Sequence, residues 1–453
     1  MKNKVAFNKD YPIIDESNRL YERAKRLIPA LTQTLAKGPS QHVNGVAPKY
    51  LVKGLGSHVW DVDGNEYIDY NMGIGPLSLG YAYPAVDKAI KKQLEDGITF
   101  SLMHPLEVEV AELLREIIPN AECVRYSKSG ADVTSAAIRI SRAYTGKNKI
   151  LCCGYHGWHD WYVSTIARNA GVPENVKKLT YTFGYNDLDS LVKSIDNDVA
   201  AVILEPVVFE APKEDFLKKV AEICTQKGIV LIFDEMWTGF RMSLGGAQEY
   251  FNIKPDLSTF SKAVANGMPL SILTGKKEIM QILNDDVFFF TTFGGEALSL
   301  AAAKATINEM KNKDVIQHLD LLGGFLRNGY NMIANTFGMD YTKAVGYNFR
   351  SMVTFDEIAG NPLELKSFVQ QELIKRGILW SGTHNISFSH SINDIEYTLE
   401  AYKEVLLLLK KAIETDTVLQ QIKGVPIQPT FRKTSDFNTK PINHDAESVF
   451  IKE

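Results

Sequence analysis

The sequence predicts an α/β fold whose core is a mostly parallel sheet covered by helices. Two observations in the middle of the chain carry that prediction. The continuous apolar runs VAAVILEP (199–206) and IVLIFDE (229–235) read as strands buried on both faces. Between them EDFLKKVAEICTQKG (214–228) has a helical period and stops at a glycine, and such strand–helix–strand alternation is what a covered parallel sheet produces. Composition agrees: of 453 residues, 45% are hydrophobic and 23% charged, as in ordinary globular chains.

Taken in order, the first helix is expected from Ser17 to Leu27, with Asp15 or Ser17 as cap and Pro29 as terminator. A turn-rich region follows, in which HVWDVDGNEYIDY (58–70) reads as a β-hairpin around Asp63-Gly64. PLEVEVAELLREII (105–118) is a helix opened by Pro105. YSKSGADVTSAAIRISRAYTG (126–146) is a turn followed by a helix stopped at Gly146, and NKILCC (148–153) is a strand. After about residue 320 the pattern becomes helix, strands, helix, closing on DIEYTLEAYKEVLLLLKKAI (394–413). The expected organisation is an N-terminal segment (1–74), a large α/β domain (75–320), a smaller α+β domain built from both chain ends (1–74 with 321–424) and an extended tail (425–453).

Charge and cysteine content narrow the function. Fifty basic and 54 acidic residues leave a net charge of −4, which argues against nucleic acid or an anionic membrane as partner. Four cysteines without a C-x-x-C pair argue for a reducing compartment and against structural zinc. No apolar leader or membrane-length run is seen, so a cytoplasmic protein is expected.

Polar groups at the ends of buried strands are the first candidates for chemistry. Asp234 follows the run IVLIF, and Lys262 lies 28 residues later in DLSTFSKAVANGMPL (256–270). A carboxylate and an amine so placed suit pyridoxal phosphate: the lysine forms a Schiff base with the cofactor aldehyde, and the carboxylate keeps the ring nitrogen protonated. The turn at Ser129-Gly130 opens a helix whose first amides suit a phosphate. In CCGYHGWHDW (152–161), Tyr155 offers a ring for stacking and His156 a hydrogen bond beside it. No metal is expected.

With these parts in this order, the chain resembles the class III pyridoxal-phosphate aminotransferases of fold type I, and most of all their glutamate-1-semialdehyde aminomutase branch. The resemblance runs over about residues 15–425. It is densest in VRYSKSGADVTSAAIRISRAYTG, YHGWHDW, LIFDEMWTGFR and KPDLSTFSKAVANGMPL. It implies pyridoxal 5'-phosphate as cofactor, Lys262 as Schiff-base lysine and proton shuttle, and Asp234 on the ring nitrogen. Ser129, Gly130 and Ala131 are implied at the phosphate, Tyr155 and His156 on one side of the ring, Met236 on the other, and Glu205 near the substrate. Thr292 matches a threonine that reaches the phosphate from a neighbouring subunit, which implies a homodimer with shared active sites. The implied reaction moves an amino group from a donor to a carbonyl acceptor, with an aminomutase as the alternative.

Departures from that family bear on the substrate. The branch has an arginine that grips the substrate carboxylate, whereas GPSQHVNGVAP (38–48) has neither Arg nor Lys. Gln41, His42, His104, Trp158, Glu296 and His384 are expected as polar lining for a hydroxylated or sugar-like carbonyl compound. Arg125, Arg241 and Arg350 are the alternative carboxylate grips.

Overall fold

The structure, a computed structural model, describes residues 10–429. The expected tail lies, beyond residue 429, outside the described residues. The first helix is Asp15–Leu27, and its cap differs from expectation. Ser17 sits inside the helix, buried, and its hydroxyl accepts the Lys49 N–H at 2.9 Å. The open N–H groups of Glu16 and Ser17 instead donate to the Asp63 carboxylate at 2.7 and 3.0 Å. The hairpin turn thus caps the helix from outside it, a tertiary solution to the unsatisfied first turn.

That hairpin belongs to a four-stranded sheet. Strands β1 (Leu51–Leu55), β2 (His58–Asp61) and β3 (Glu66–Asp69) form an antiparallel meander, and β3 pairs in parallel with Ile378–Leu379. The two ends of the described chain therefore meet in one sheet.

The central sheet has seven strands: β4 (Cys123–Ser127), β5 (Lys149–Cys153), β6 (Thr180–Thr182), β7 (Val199–Leu204), β8 (Val230–Asp234), β9 (Leu257–Phe260) and β10 (Ser271–Gly275). Their spatial order is β4-β10-β9-β8-β7-β5-β6, and β10 alone runs against the rest. The expected mostly parallel sheet is present. In β7 and β8, Ala201, Ile203, Val230 and Ile232 pack on the face covered by the helix Gly130–Thr145. Val202, Leu204, Leu231 and Phe233 pack on the opposite face with the helix Phe216–Lys227. Both faces are dry, so both side-chain sets must be apolar and the strands read as unbroken runs.

Beyond these lie a helix, Val315–Thr336, and a three-stranded sheet of β11 (Thr342–Tyr347), β12 (Arg350–Phe355) and a strand at Thr383–Asn385. The helix Ile392–Glu414 closes this part. Among the described residues no helix is long and apolar enough to cross a membrane.

Candidate active site

The loops leaving the carboxyl ends of the parallel strands converge. Asp234 is the last residue of β8 and is 1% exposed. One of its oxygens accepts the Met236 N–H at 3.1 Å; the other lies 2.7 Å from Nδ1 of His156, in the loop after β5. The His156 ring is itself immobilised. Its Nε2 donates to the Cys153 carbonyl at 3.2 Å, its own carbonyl accepts the Thr134 hydroxyl, and Tyr162 meets it edge-on at 5.5 Å. A buried carboxylate held this way has one orientation and waits for a partner with a proton.

Glu205 follows β7, is buried, and accepts the Tyr155 N–H at 2.9 Å. Gly154 makes that approach possible: its φ is +111°, and a Cβ there would stand 2.6 Å from the Glu205 carboxylate. Burial, with Asp234 nearby, pushes the Glu205 carboxyl up, while His156 and the Tyr155 N–H pull it back. The Tyr155 ring itself is half exposed and meets Tyr162 edge-on at 5.4 Å.

Lys262 stands just past β9, at φ +44°, with its Nζ 3.9 Å from the centroid of the Trp237 ring. Its amine is lowered to about 7, chiefly by burial and also by Arg350 and Arg241, with Glu205 and Asp234 acting against them. An amine so placed is partly unprotonated near neutrality, as a nucleophile must be.

The helix Gly130–Thr145 starts at the end of β4. Ser129 caps it, with Asp132 returning the bond in a capping box. Gly130 packs against Met236, where a Cβ would come within 3.0 Å of its sulfur, and Gly157 packs against Ala131. Lys262, Asp234, His156, Glu205 and Tyr155 thus form one cluster, and Met236 joins it to Gly130 and the helix start. Thr292 is exposed, and no described hydrogen bond or ring contact ties it to the cluster.

Several expected lining residues are engaged elsewhere. His104 caps the helix Pro105–Ile117, and Glu296 caps Ala297–Asn312 while pairing with Lys128 at 2.7 Å. His384 is fully buried, between the Ser351 and Tyr402 hydroxyls. Gln41 donates to the Gln428 carbonyl, and His42 meets Gln370. Sequence reasoning passed over Trp237 and Phe209, although each follows within four residues of a strand-end carboxylate, Asp234 or Glu205.

The donor set suits pyridoxal phosphate. There is an amine of lowered basicity, an oriented buried carboxylate for a protonated ring nitrogen, and a glycine helix start packed close on Met236.

A model of the class-III aminotransferase family matches residues 40–346. A 3-aminobutyryl-CoA aminotransferase of Cloacimonas acidaminovorans is 36% identical, over 88% of this chain and 98% of its own. A glutamate-1-semialdehyde 2,1-aminomutase of Archaeoglobus fulgidus is 34% identical, over 87% of this chain and 100% of its own. Among solved structures, a PLP form of the FumI protein of Sphingopyxis sp. MTA144 superimposes with a TM-score of 0.81 at 26% identity, covering 88% of this chain and 97% of that one.

Proposed function

This chain belongs to the class-III aminotransferase family, enzymes that use pyridoxal phosphate to move amino groups, and on that premise we propose the role of each residue in the cluster. Bound there, the cofactor supplies an aldehyde that takes up amines and a ring that accepts electrons from the adjacent carbon. Lys262 is the amine that holds the aldehyde between turnovers and carries the proton between donor carbon and cofactor carbon. The observation that supports this is its position, at the end of a strand beside Asp234 and Glu205, with its basicity lowered to about 7.

Asp234 faces the ring nitrogen, and His156 keeps it from turning away. The amides of Gly130 and Ala131, at the positive end of a 16-residue helix, and the Ser129 hydroxyl take the phosphate, since the Ser129 N–H is held by Asp132. Tyr155 would cover one face of a bound ring and Met236 the other, and Glu205 would stand near the substrate side. Thr292 serves the phosphate of a second subunit in a homodimer. Its segment is exposed together with Phe288, Phe290 and Phe293, the kind of apolar surface that a second copy covers. In this reading Lys262, Asp234, Glu205 and the phosphate-binding helix start belong to the large domain (75–320). A soluble, cytoplasmic enzyme acting on an amino donor and a carbonyl acceptor completes the reading.

Borohydride reduction of the cofactor-loaded enzyme, followed by digestion and mass measurement, tests the central assignment. The cofactor mass is expected on the fragment bearing Lys262; its appearance on another lysine, or on none, refutes the role. An intramolecular amino shift is the second reading, favoured by the aminomutase names among the relatives. Turnover that needs no added amino donor would select it.

A further inference from the structure

Two arginines are buried beside the cluster, and they differ in one respect. Arg241 is bonded at both Nη atoms, which donate to the carbonyls of Ile386 and Gly75. Arg350, 8% exposed, has no acceptor for Nε or Nη1 among the described residues. Nor does any described carboxylate form an ion pair with it. Buried guanidinium groups are almost always bonded, because an unbonded buried donor forfeits its hydration without return.

Its position is nevertheless well defined. Arg350 opens β12, in register with Tyr347 of β11 and with Asn385. Its Cζ lies 3.4 Å from the centroid of the Trp237 ring and 4.3 Å from that of Phe209. The two rings come from the loops that carry Asp234 and Glu205, so the cation is fixed over the same strand ends. Trp237 is fixed in turn by Gly75, at φ +91°, where any side chain would collide with the indole. Lys262 Nζ approaches that same indole ring at 3.9 Å. The guanidinium and the reacting amine are therefore no farther apart than those two ring distances combined.

We propose that Arg350 is the grip for a carboxylate carried by the substrate close to the carbon that exchanges nitrogen. This rests on the reading of Lys262 as the reacting amine. A planar cation held between two rings has already lost its torsional freedom, so it binds a carboxylate with little further ordering. Nε and Nη1 lie on different edges of the guanidinium, and each edge is completed by Nη2, so a carboxylate finds a two-pronged donor on either side. Burial lowers Arg350 to about 9, which Glu205 opposes and Arg241 reinforces, and it remains a cation at neutral pH. The assignment also accounts for the stretch 38–48, which has no arginine or lysine: the charge is supplied from another part of the chain.

The test uses matched pairs that differ only in the carboxylate: alanine against 2-aminopropane, and 3-aminobutanoate against 2-aminobutane. In the holoenzyme, Arg350→Met is expected to lower the acid-to-amine ratio of kcat/KM about 100-fold or more for at least one pair, mainly through KM, with partial recovery in Arg350→Lys. Calorimetric titration with butanoate, which has no amine to react, is expected to detect binding that Arg350→Met abolishes. Equal losses for acid and amine would give Arg350 a purely structural role and overturn the proposal. So would a wild type that does not discriminate within either pair, or butanoate binding that is absent or unchanged by the substitution. Turnover retained in Lys262→Ala would refute the reading of the reacting amine alone, because the butanoate titration judges Arg350 without any reaction.

Discussion

Two buried polar clusters in this molecule are built on opposite principles. At the carboxyl ends of β7, β8 and β9, the groups are charged, oriented and left with bonding capacity: Asp234 pinned by His156, Lys262 lying against an indole, Arg350 with open donors. Around the strand Thr383–Asn385, His384 is fully buried between the Ser351 and Tyr402 hydroxyls at 2.9 and 2.7 Å, and Tyr70 bonds Thr398 at 2.7 Å. The His384, Ser351, Tyr402, Tyr70 and Thr398 groups are neutral and answer one another, which specifies packing. The contrast recurs within one dipeptide. Asp234 faces the cluster, whereas Glu235 turns back to accept from Thr238, Ala247 and Gln248, and burial pushes its carboxyl up to about 7.

The sharpest way to break this comparison is at Lys262. Lys262→Ala is expected to lower turnover by more than about 10⁴-fold, since it removes both nucleophile and proton carrier. Thermal unfolding should show no loss of stability, because an amine that burial disfavours has been removed. Next comes Asp234→Asn, expected to cost turnover roughly 10²–10⁴-fold with little change in melting temperature. Its neighbour should do the reverse. Glu235→Ala leaves the Ala247 and Gln248 amides without acceptors, so a loss of about 2–4 kcal/mol in denaturant unfolding is expected. If Glu235→Ala left stability intact while abolishing turnover, the division of labour between the two carboxylates would be wrong. Tyr402→Phe sharpens the other side: about 1–3 kcal/mol of stability lost, with kcat and KM at wild-type values in steady-state assays.

The parts of this arrangement that are local were legible in the sequence. β7 and β8 appear as unbroken apolar runs because both faces are dry, and the residues ending them, Asp234 and Glu205, are polar because strand ends meet solvent or ligand. The helix Gly130–Thr145 is announced by Ser129 and stopped by Gly146, and both marks are local. What depends on distant chain was not legible. Nothing near Ser17 reveals that Asp63 caps its helix. A histidine reads alike whether it lines a pocket or fills a core, so His384 was expected in the pocket, whereas its partners Ser351 and Tyr402 close around it only after folding. Arg125, Arg241 and Arg350 were equivalent in the sequence. They separate once Arg125 is seen reaching the Phe289 carbonyl at 2.9 Å, Arg241 bonded to two carbonyls, and Arg350 stacked between rings with donors open.

The last expected effect concerns the dependence of stability on acid. Burial holds His384 down at about 3, with His390 adding to it, and holds His390 down at about 4. An unfolded histidine titrates at 6.5, so below that pH the unfolded chain binds protons that the folded chain refuses, and stability falls as pH falls. For His384 the loss begins at 6.5 and levels off near 3, at no more than about 1.4 kcal/mol per pH unit. Asp394 belongs to a lower window: its burial is outweighed by bonds from His58 and the Ser391 N–H, which hold it at about 2. Glu235 and Asp69, raised by burial to about 7 and about 6, oppose the histidines, because the folded chain takes up their protons first as pH falls from neutrality. The wild-type profile therefore mixes both signs, and a difference isolates one. His384→Gln is expected to be less stable than wild type at pH 7, with the gap closing as pH falls from 6.5 toward 4 in denaturant titrations. A gap that stays constant over that range would mean that His384 titrates alike in both states, and that this cluster is not the neutral counterpart of the charged one.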